Sequence, residues 1–205
     1  MNRILLIRHG VVERLGEFLY GRTPGVHLTP EGQAQARTLA AALQMRYTIS
    51  AIVSSPLDRA IETAHPIADV QRVPLATDQG FTEVDFAAWS GKSFAELKNS
   101  PEWLEYNRVR SLTRAPGGES LIEVQARAWE SLQLLNARYA DATVGIVTHG
   151  DVIRTLLVLF LGMPLDHIGR IEVAPASVSE VLLGAEPVVK SVNWTPPESM
   201  RDARA

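Results

Sequence analysis

The sequence contains no cysteine, and this absence excludes several kinds of chemistry at once. Disulfide frameworks, thiolate metal sites, iron–sulfur clusters and cysteine nucleophiles all require the thiol group. Long apolar runs are also missing, because the longest, residues 156–163, falls well short of the roughly 18 residues needed to cross a bilayer. The apolar run at residues 4–7 is likewise too short for the core of a secretory signal. We therefore expect a cytoplasmic protein without a membrane span.

The chain also lacks an excess of positive charge. Its 20 Lys and Arg residues stand against 23 Asp and Glu residues, which gives a formal net charge of -3. Such a chain cannot supply the broad positive field of a nucleic-acid binder, so no nucleic-acid partner is expected. A local cluster of arginines can still hold a small anion. The length of 205 residues fits one domain with an insertion.

Short apolar runs alternate with longer amphipathic stretches, which is typical of an α/β fold. The run at residues 4–7 is continuously apolar, as in strands that are covered on both faces. The pattern predicts a three-layer, open, mostly parallel sheet with helices on both faces and a C-terminal edge hairpin. Strands are predicted at residues 3–8, 49–54, 74–77 and 143–148, and the hairpin at residues 177–183 and 188–192.

Capping residues predict where two of the helices begin. Thr29 and Pro30 match an N-cap and a first helical residue, and Ser55 and Pro56 repeat the pattern. The second helix then carries Arg59 in its first turn, beside the end of a strand. Helices are predicted from residue 30 to about 45, from about residue 56 onward, at 119–139 and at 152–161.

Residues 78–118 lose clear periodicity and contain many aromatic side chains, which indicates an insertion. The rest of residues 1–195 is predicted to form the single domain that carries it. Residues 196–205 begin with paired prolines and small polar side chains, and we expect them to form a loose tail.

Two predicted strands run directly into a histidine followed by a glycine, at His9 and His149. In an open α/β sheet, ligands bind at the carboxyl ends of the strands, so both histidines are expected to face one crevice. Arg8 and Arg59 would reach the same rim, where planar guanidinium groups suit phosphate oxygens. These residues, together with helix N-termini, indicate an anion pocket.

Several blocks of sequence are similar to the histidine phosphatase superfamily, in its phosphoglycerate-mutase-like branch. The likeness covers about residues 4–163 and implies that branch's α/β fold, with residues 78–118 as a lid. The matching blocks are Leu-Ile-Arg-His-Gly at 6–10, Gly-Arg at 21–22 with Leu-Thr-Pro-Glu-Gly at 28–32, Ser-Ser-Pro-Leu-Asp-Arg-Ala at 54–60, Thr-Glu-Val-Asp-Phe at 82–86, Pro-Gly-Gly-Glu-Ser at 116–120 and Val-Thr-His-Gly at 147–150.

The resemblance implies that His9 is the nucleophile and accepts a phosphoryl group to form a phosphohistidine. A neutral imidazole is nucleophilic near neutral pH, and a covalent intermediate divides one difficult displacement into two easier ones. Arg8, Arg59 and His149 match the positions that neutralise the phosphoryl oxygens. His149 is expected to act there as a protonated donor, because a nearby phosphate opposes loss of its proton. The resemblance implies no metal and no cofactor.

An alkoxide is a poor leaving group, so the reaction needs a general acid. Glu83 matches the position of the family's proton donor, and Asp85, two residues further on, is its competitor. Arg22 and Gly150 are expected to complete the contacts to the substrate phosphate. Solvated loop carboxylates remain the alternative reading of both acidic residues.

The leading hypothesis is metal-independent hydrolysis of a phosphomonoester of a small metabolite. A cofactor-dependent phosphoglycerate mutase is the main alternative, although the short insertion favours the phosphatase. A noncatalytic sensor of phosphate ligands stays open, because Val11, Val12 and Leu15 stand where many members carry polar residues that contact phosphate. A metalloenzyme using His9, His149 and Asp151 is weaker, since no metal-ligand spacing accompanies them.

Two features of the sequence stay unassigned. The predicted lid carries Arg108, Arg110 and Arg114, which either bind a second acidic group or lie on a solvated helix face. The apolar edge hairpin either pairs in a homodimer or is covered by a helix.

Overall fold

In the computed structural model, which describes residues 1–201, the apolar runs of the sequence form the strands of one sheet. The strands are β1 (Asn2–Arg8), β2 (Ala51–Ser54), β3 (Leu75–Thr77), β4 (Thr143–Thr148), β5 (Val178–Leu183) and β6 (Val188–Trp194). Their order in the sheet is β3-β2-β4-β1-β5-β6. The first four strands pair in parallel, whereas β5 and β6 are antiparallel to their neighbours. The predicted open, mostly parallel sheet with an edge hairpin is confirmed.

The helices cover both faces of this sheet, so the predicted three-layer architecture is also confirmed. The α-helices are α1 (Pro30–Arg46), α2 (Asp58–Gln71), α3 (Phe94–Leu97), α4 (Pro101–Arg108), α5 (Leu121–Arg138), α6 (Gly150–Phe160) and α7 (Glu198–Arg201). Short 3₁₀ helices lie at Gln79–Phe81, Ala87–Trp89 and Leu165–Arg170. No helix among residues 1–201 is both long and apolar enough to cross a membrane.

Alternate residues of β1 belong to the two halves of the core. Ile4 and Leu6 pack with apolar residues of α5 and α6 on one face of the sheet. Leu5 and Ile7 pack with α1 and α2 on the other. Side chains of a strand alternate between faces, so a strand covered on both sides needs the continuous apolar run that the sequence shows.

The first predicted cap is present, whereas the second is wrong. The hydroxyl of Thr29 accepts a hydrogen bond from the amide of Gly32 at 3.1 Å, and Pro30 is the first residue of α1. The second helix begins at Asp58, and its N-cap residue, Leu57, has no side-chain cap. Ser55 instead directs its hydroxyl into the candidate site described below, so its side chain does not cap the helix.

The segment predicted as an insertion, residues 78–118, carries α3 and α4 and lies beside the carboxyl ends of the strands. Its aromatic side chains pack on one another, and the rings of Trp89 and Trp103 meet edge to face with centroids 5.3 Å apart. Its far end is fastened by Ser111, whose amide and hydroxyl donate to the carboxylate of Asp166 at 2.7 and 2.9 Å. The segment is thus held to the rest of the chain by a packed aromatic cluster and by polar contacts.

The tail differs in part from its prediction. Within residues 196–205, expected to be loose, Glu198–Arg201 forms one helical turn that lies against α1. Residues 202–205 lie outside the described residues. The domain limits stay a prediction. The homodimer also stays a prediction, and β6 is the outermost strand of the sheet, next to β5.

The core on the α5 side provides a direct test of the packing. We expect Leu132→Ala to lower the free energy of unfolding by about 2–5 kcal/mol, because it leaves a cavity in the interior. Leu132 is 0% exposed, whereas Leu134 on the same helix is 66% exposed. Leu134→Ala is the matched control and should change stability by less than about 0.5 kcal/mol. Urea denaturation measures both, and equal losses would contradict the assigned helix face.

Candidate active site

His9 and His149 leave the sheet side by side because the strands that precede them are parallel neighbours. Arg8 of β1 lies opposite Thr148 of β4, and the amide of His9 donates to the carbonyl oxygen of Thr148 at 3.0 Å. The centroids of the two imidazole rings are 5.2 Å apart, and both residues are buried. The structure therefore brings together the two histidines at one crevice, as the sequence pattern predicts.

The hydrogen bond of His9 fixes which ring nitrogen is available for chemistry. Its Nδ1 lies 2.8 Å from the carbonyl oxygen of Gly10, and a carbonyl oxygen can only accept, so Nδ1 carries the hydrogen. Burial, followed by the charges of Arg59 and Arg8, holds the pKa of His9 well below its ordinary value. The ring is therefore neutral at pH 7 and presents the lone pair of Nε2.

The ring of His149 is oriented by Ser55, a contact that the sequence did not predict. Nε2 of His149 lies 2.7 Å from Oγ of Ser55, while its buried Nδ1 has no hydrogen-bond partner within residues 1–201. Burial and the charges of Arg59, His9 and Arg8 lower the pKa of His149. A protonated His149 therefore requires an opposing negative charge, which a phosphate dianion would supply.

Arg59 is buried and Arg8 is partly buried, and neither positive charge is compensated by an ion pair in the described part of the chain. Arg8 donates from Nη1 to the carbonyl oxygen of Val173 at 2.6 Å, and its buried Nε has no partner. Arg59 donates from Nη2 to the carbonyl oxygen of Gly21 at 2.7 Å. Burial lowers the pKa of both groups, yet a guanidinium stays protonated at neutral pH. These charges make the crevice a strong site for an anion.

Glu83 reaches the same crevice and has the pKa of a general acid. Its Oε1 accepts from the amide of Val84 at 3.0 Å. Burial, then the negative charge of Asp151, raises the pKa of Glu83 to about 7. Asp85, the competitor, turns away, since its carboxylate accepts from the amide of Ala87 at 2.9 Å and does not line the cavity. The geometry therefore favours Glu83 of the two carboxylates.

Arg22, expected to contact the substrate phosphate, does not lie on the cavity wall. Its Nε donates to the carbonyl oxygen of Glu83 and its Nη2 to Glu119, each at 2.9 Å. Arg127 donates to the same carbonyl oxygen at 3.2 Å and to both carboxylate oxygens of Glu119 at 3.0 Å. The carboxylate of Glu119 attracts Arg22 away from the crevice, so Arg22 holds the backbone of Glu83 instead.

Arg8, His9, Arg59 and Glu83 line a cavity of about 540 Å³, which also receives the N-terminus of α6. Gly150 is the first residue of that helix, so its amide has no intrahelical acceptor and is available to an anion. A Cβ at this position would lie 3.2 Å from Nη1 of Arg154, which is a tight contact, and 3.5 Å from Arg8, which is an ordinary one. Glycine therefore leaves the guanidinium of Arg154 room beside the helix end.

Of the three arginines left unassigned in the lid, only Arg110 lines the cavity. Arg108 pairs with Glu105 on the exposed side of α4, and Arg114 pairs with Glu123. Within residues 1–201, no group of three or more His, Cys, Asp or Glu side chains is arranged to hold a metal ion.

The contact between Ser55 and His149 can be tested by removing one hydroxyl. We expect Ser55→Ala to lower kcat/KM for phosphomonoesters roughly tenfold, because a buried ring nitrogen loses its partner and its fixed orientation. Ser54→Ala is the matched control, since that buried hydroxyl contacts the carbonyl oxygen of Ser55 at 2.8 Å and not the imidazole. Equal kcat/KM values for wild type and Ser55→Ala would show that this contact does not orient His149 for turnover.

The chain is similar to several known proteins. The bifunctional protein Rv2228c of Mycobacterium tuberculosis is 33% identical over 95% of this chain, and the match covers 54% of that protein, so the chain spans about half its length. Phosphoserine phosphatase 1 of Hydrogenobacter thermophilus is 29% identical over 81% of this chain and 79% of its own. The crystal structure of Entamoeba histolytica phosphoserine phosphatase with 3-phosphoglyceric acid is 27% identical, with a TM-score of 0.84 over 95% of this chain and 98% of that one.

The family model for the histidine phosphatase superfamily (branch 1) matches residues 4–195, almost the entire chain. That range contains β2 to β6, all of β1 except its first two residues, and every residue that we have placed around the crevice. The chain belongs to the histidine phosphatase superfamily, branch 1.

Proposed function

We propose that this protein hydrolyses phosphomonoesters through a phosphohistidine on Nε2 of His9. The observation that carries the proposal is the convergence of unpaired groups at one point. His9, with a free imidazole lone pair, and Arg8, whose buried Nε has no partner within residues 1–201, line the same cavity. The ring of His149 lies beside that of His9, with centroids 5.2 Å apart, and its buried Nδ1 also has no partner within residues 1–201. Buried polar atoms nearly always have partners, and the oxygens of a phosphoryl group would provide them.

In the first step, Nε2 of His9 attacks phosphorus and the bond from phosphorus to the leaving oxygen breaks. Arg8, Arg59 and His149 neutralise the phosphoryl oxygens, whose negative charge otherwise repels the incoming lone pair. Glu83 gives its proton to the leaving oxygen, so the product departs as an alcohol and not as an alkoxide. The enzyme is left with a phosphohistidine and an ionised Glu83.

In the second step, water attacks the phosphohistidine while Glu83 accepts one of its protons. The bond from nitrogen to phosphorus breaks, inorganic phosphate leaves, and His9 returns to its neutral form. Glu83 regains the proton that it gave to the leaving group, so the cycle is balanced. A pKa of about 7 suits both roles, because the two forms of the carboxyl group are then nearly equal in free energy at neutral pH.

Water is the acceptor in this proposal, and the relatives support that choice over the mutase alternative. Proteins similar to this chain in Hydrogenobacter thermophilus and Entamoeba histolytica are both named phosphoserine phosphatases. We propose a small phosphorylated metabolite as the substrate, with no nucleic-acid partner. The cytoplasmic location and the homodimer stay predictions.

The test is release of inorganic phosphate in the presence of a chelator. The substrates are p-nitrophenyl phosphate and a panel of sugar, glycerate and nucleotide monophosphates. We expect turnover that the chelator does not diminish, because the described chemistry needs only protein side chains and water. Binding of phosphate without turnover of any panel member would contradict the proposal and support the noncatalytic sensor.

A further inference from the structure

The cavity is much larger than the phosphoryl site that the proposed function requires. Its volume of about 540 Å³ lies in the range of pockets that hold whole drug-sized ligands, roughly 300–1,000 Å³. In the proposed function, the phosphoryl group occupies only the end formed by Arg8, His9 and Arg59. The rest of the space is available to the leaving group, and its walls therefore indicate what kind of leaving group fits.

One side of this space is lined by partly exposed apolar side chains, which we call the apolar wall. Its members come from the loop after β1 and from the lid helices α3 and α4, and all four line the cavity: Leu15, Phe18, Phe94 and Trp103. Apolar side chains that stay partly exposed beside a cavity favour a ligand that removes them from water.

The apolar wall is held in place before any ligand arrives. The amide of Phe94 donates to the carbonyl oxygen of Glu17 at 2.9 Å, and Phe18 forms a β-bridge with Ser93, so loop and lid are joined. The rings of Phe94 and Trp103 lie with their centroids 6.0 Å apart. A wall that is already ordered loses little conformational freedom on binding, which strengthens its contribution to affinity.

Three further charged side chains line the cavity, and these are engaged with one another: Arg110, Asp151 and Arg154. Asp151 accepts from Arg154 at 3.0 Å and lies 3.9 Å from Arg110. Arg154 also donates to the carbonyl oxygen of Ile171 at 2.9 Å. The members of the apolar wall pack on neighbouring side chains but stay partly exposed, so the exposed part of their surface is left for a substrate to cover.

The wall also explains one departure from the family's pattern. Val12 and Leu15 stand where many members carry polar residues, and both line this cavity. Val12 packs into a small apolar cluster with Leu28 and Ala36, so it cannot offer a polar contact to phosphate. The substitution of polar by apolar residues changes what this side of the cavity binds.

We infer that the leaving group of the natural substrate carries an apolar ring that packs on the apolar wall. This inference rests on the proposed function, because it assigns the part of the substrate that the phosphoryl site does not hold. A flat ring suits the wall better than an alkyl chain, since Phe94 and Trp103 can stack on it or meet it edge to face. The hydroxyl of Tyr106, which lines the same cavity and is buried without a partner within residues 1–201, is available to a polar atom of that ring system.

The experiment compares two alkyl phosphates whose alcohols have similar acidity, so that chemistry does not bias the result. The substrates are 2-phenylethyl phosphate and ethyl phosphate, and the measured quantity is the ratio of their kcat/KM values. We expect a ratio of about 10–100 in the wild type, the range that a well-filled apolar pocket provides. A ratio near one would overturn the inference.

Variants then locate the source of the preference. Leu15→Asn and Trp103→Ala should each lower the ratio at least about fivefold, because each removes apolar surface from the wall. Leu112→Asn is the control, since Leu112 is 83% exposed, lies in the same lid segment and does not line the cavity. If Trp103→Ala does not fold, Leu15→Asn alone decides, because its side chain is only partly buried.

The outcomes separate the two proposals. A wild-type ratio that Leu15→Asn and Trp103→Ala leave unchanged would overturn the inference while leaving phosphomonoester hydrolysis intact. If the protein hydrolysed none of the three compounds, neither the two alkyl phosphates nor p-nitrophenyl phosphate, the proposed function would be overturned, and the inference with it.

Discussion

His9→Ala is expected to reduce kcat for phosphomonoester hydrolysis by on the order of 10⁴–10⁶-fold, which is the largest effect of any single substitution in this chain. The reason is that Nε2 of His9 forms the bond to phosphorus, and no neighbouring group can replace it. Ser55 is hydrogen-bonded to His149. Nδ1 of His149 has no free lone pair when the charge of a bound phosphate keeps the ring protonated. Phosphate release from p-nitrophenyl phosphate measures the loss.

His65→Ala is the matched control for this substitution. His65 is an exposed histidine in α2 and contributes nothing to the cavity, so its replacement should leave kcat within about twofold of wild type. Rapid quenching with labelled substrate should trap the label on the wild-type protein and not on His9→Ala. Residual activity above about a tenth of wild type in His9→Ala would contradict the covalent mechanism.

The fold could be predicted from the sequence wherever one local signal determines the structure. Continuous apolar runs marked β1 and β4, and the histidine after each strand then had to emerge at one edge because parallel strands end together. The same reasoning placed Arg59 correctly in the first turn of α2, since only the short segment 55–58 separates it from the end of β2. These predictions needed only neighbours in the chain.

The contacts that orient the site could not be predicted, because they join residues far apart in the sequence. Ser55 looked like a helix cap, and only the fold brings it to His149, 94 residues away. Arg22 looked like a phosphate ligand, and the carboxylate that diverts it, Glu119, lies 97 residues away. A charged side chain has several candidate partners in a sequence, and packing decides among them.

Glu83 could be predicted from the sequence only in part. Its motif identified it as the proton donor, yet the sequence could not separate it from Asp85 on chemical grounds. The structure separates them by environment: Glu83 lines the cavity with a raised pKa, whereas the carboxylate of Asp85 lies 3.8 Å from Arg22 outside it. Burial is a property of the fold, and it turns one of two similar carboxyl groups into an acid that holds its proton near pH 7.

Glu83→Gln should therefore have the second-largest effect, and the size should depend on the leaving group. For ethyl phosphate we expect kcat/KM to fall by on the order of 10²–10⁴-fold, because an ethoxide cannot depart without a proton. For p-nitrophenyl phosphate the loss should be at least about tenfold smaller, since that phenolate is stable without protonation. Asp85→Asn is the control and should change neither value by more than about tenfold.

The pH dependence provides an independent test of the same role. The pKa of Glu83 is raised to about 7, so the acid form that donates the proton is present below this pH and is lost above it. In the wild type, kcat/KM for ethyl phosphate should fall as pH rises beyond about 7, approaching tenfold per unit. The second ionisation of the substrate, near pH 6, affects kcat/KM of the wild type and of Glu83→Gln alike.

In Glu83→Gln the amide does not titrate, so the decline above about pH 7 should disappear and leave a low, flat profile. The dependence on leaving group and the dependence on pH test the same role. Replacing a residue that merely supported the fold would lower kcat/KM equally for both substrates and would leave the decline above about pH 7 in place. If Asp85→Asn removed the decline and Glu83→Gln kept it, the proton donor would have to be Asp85. The loop around residues 83–85 would then have to turn during turnover, against the backbone contacts by which Arg22 and Arg127 hold Glu83.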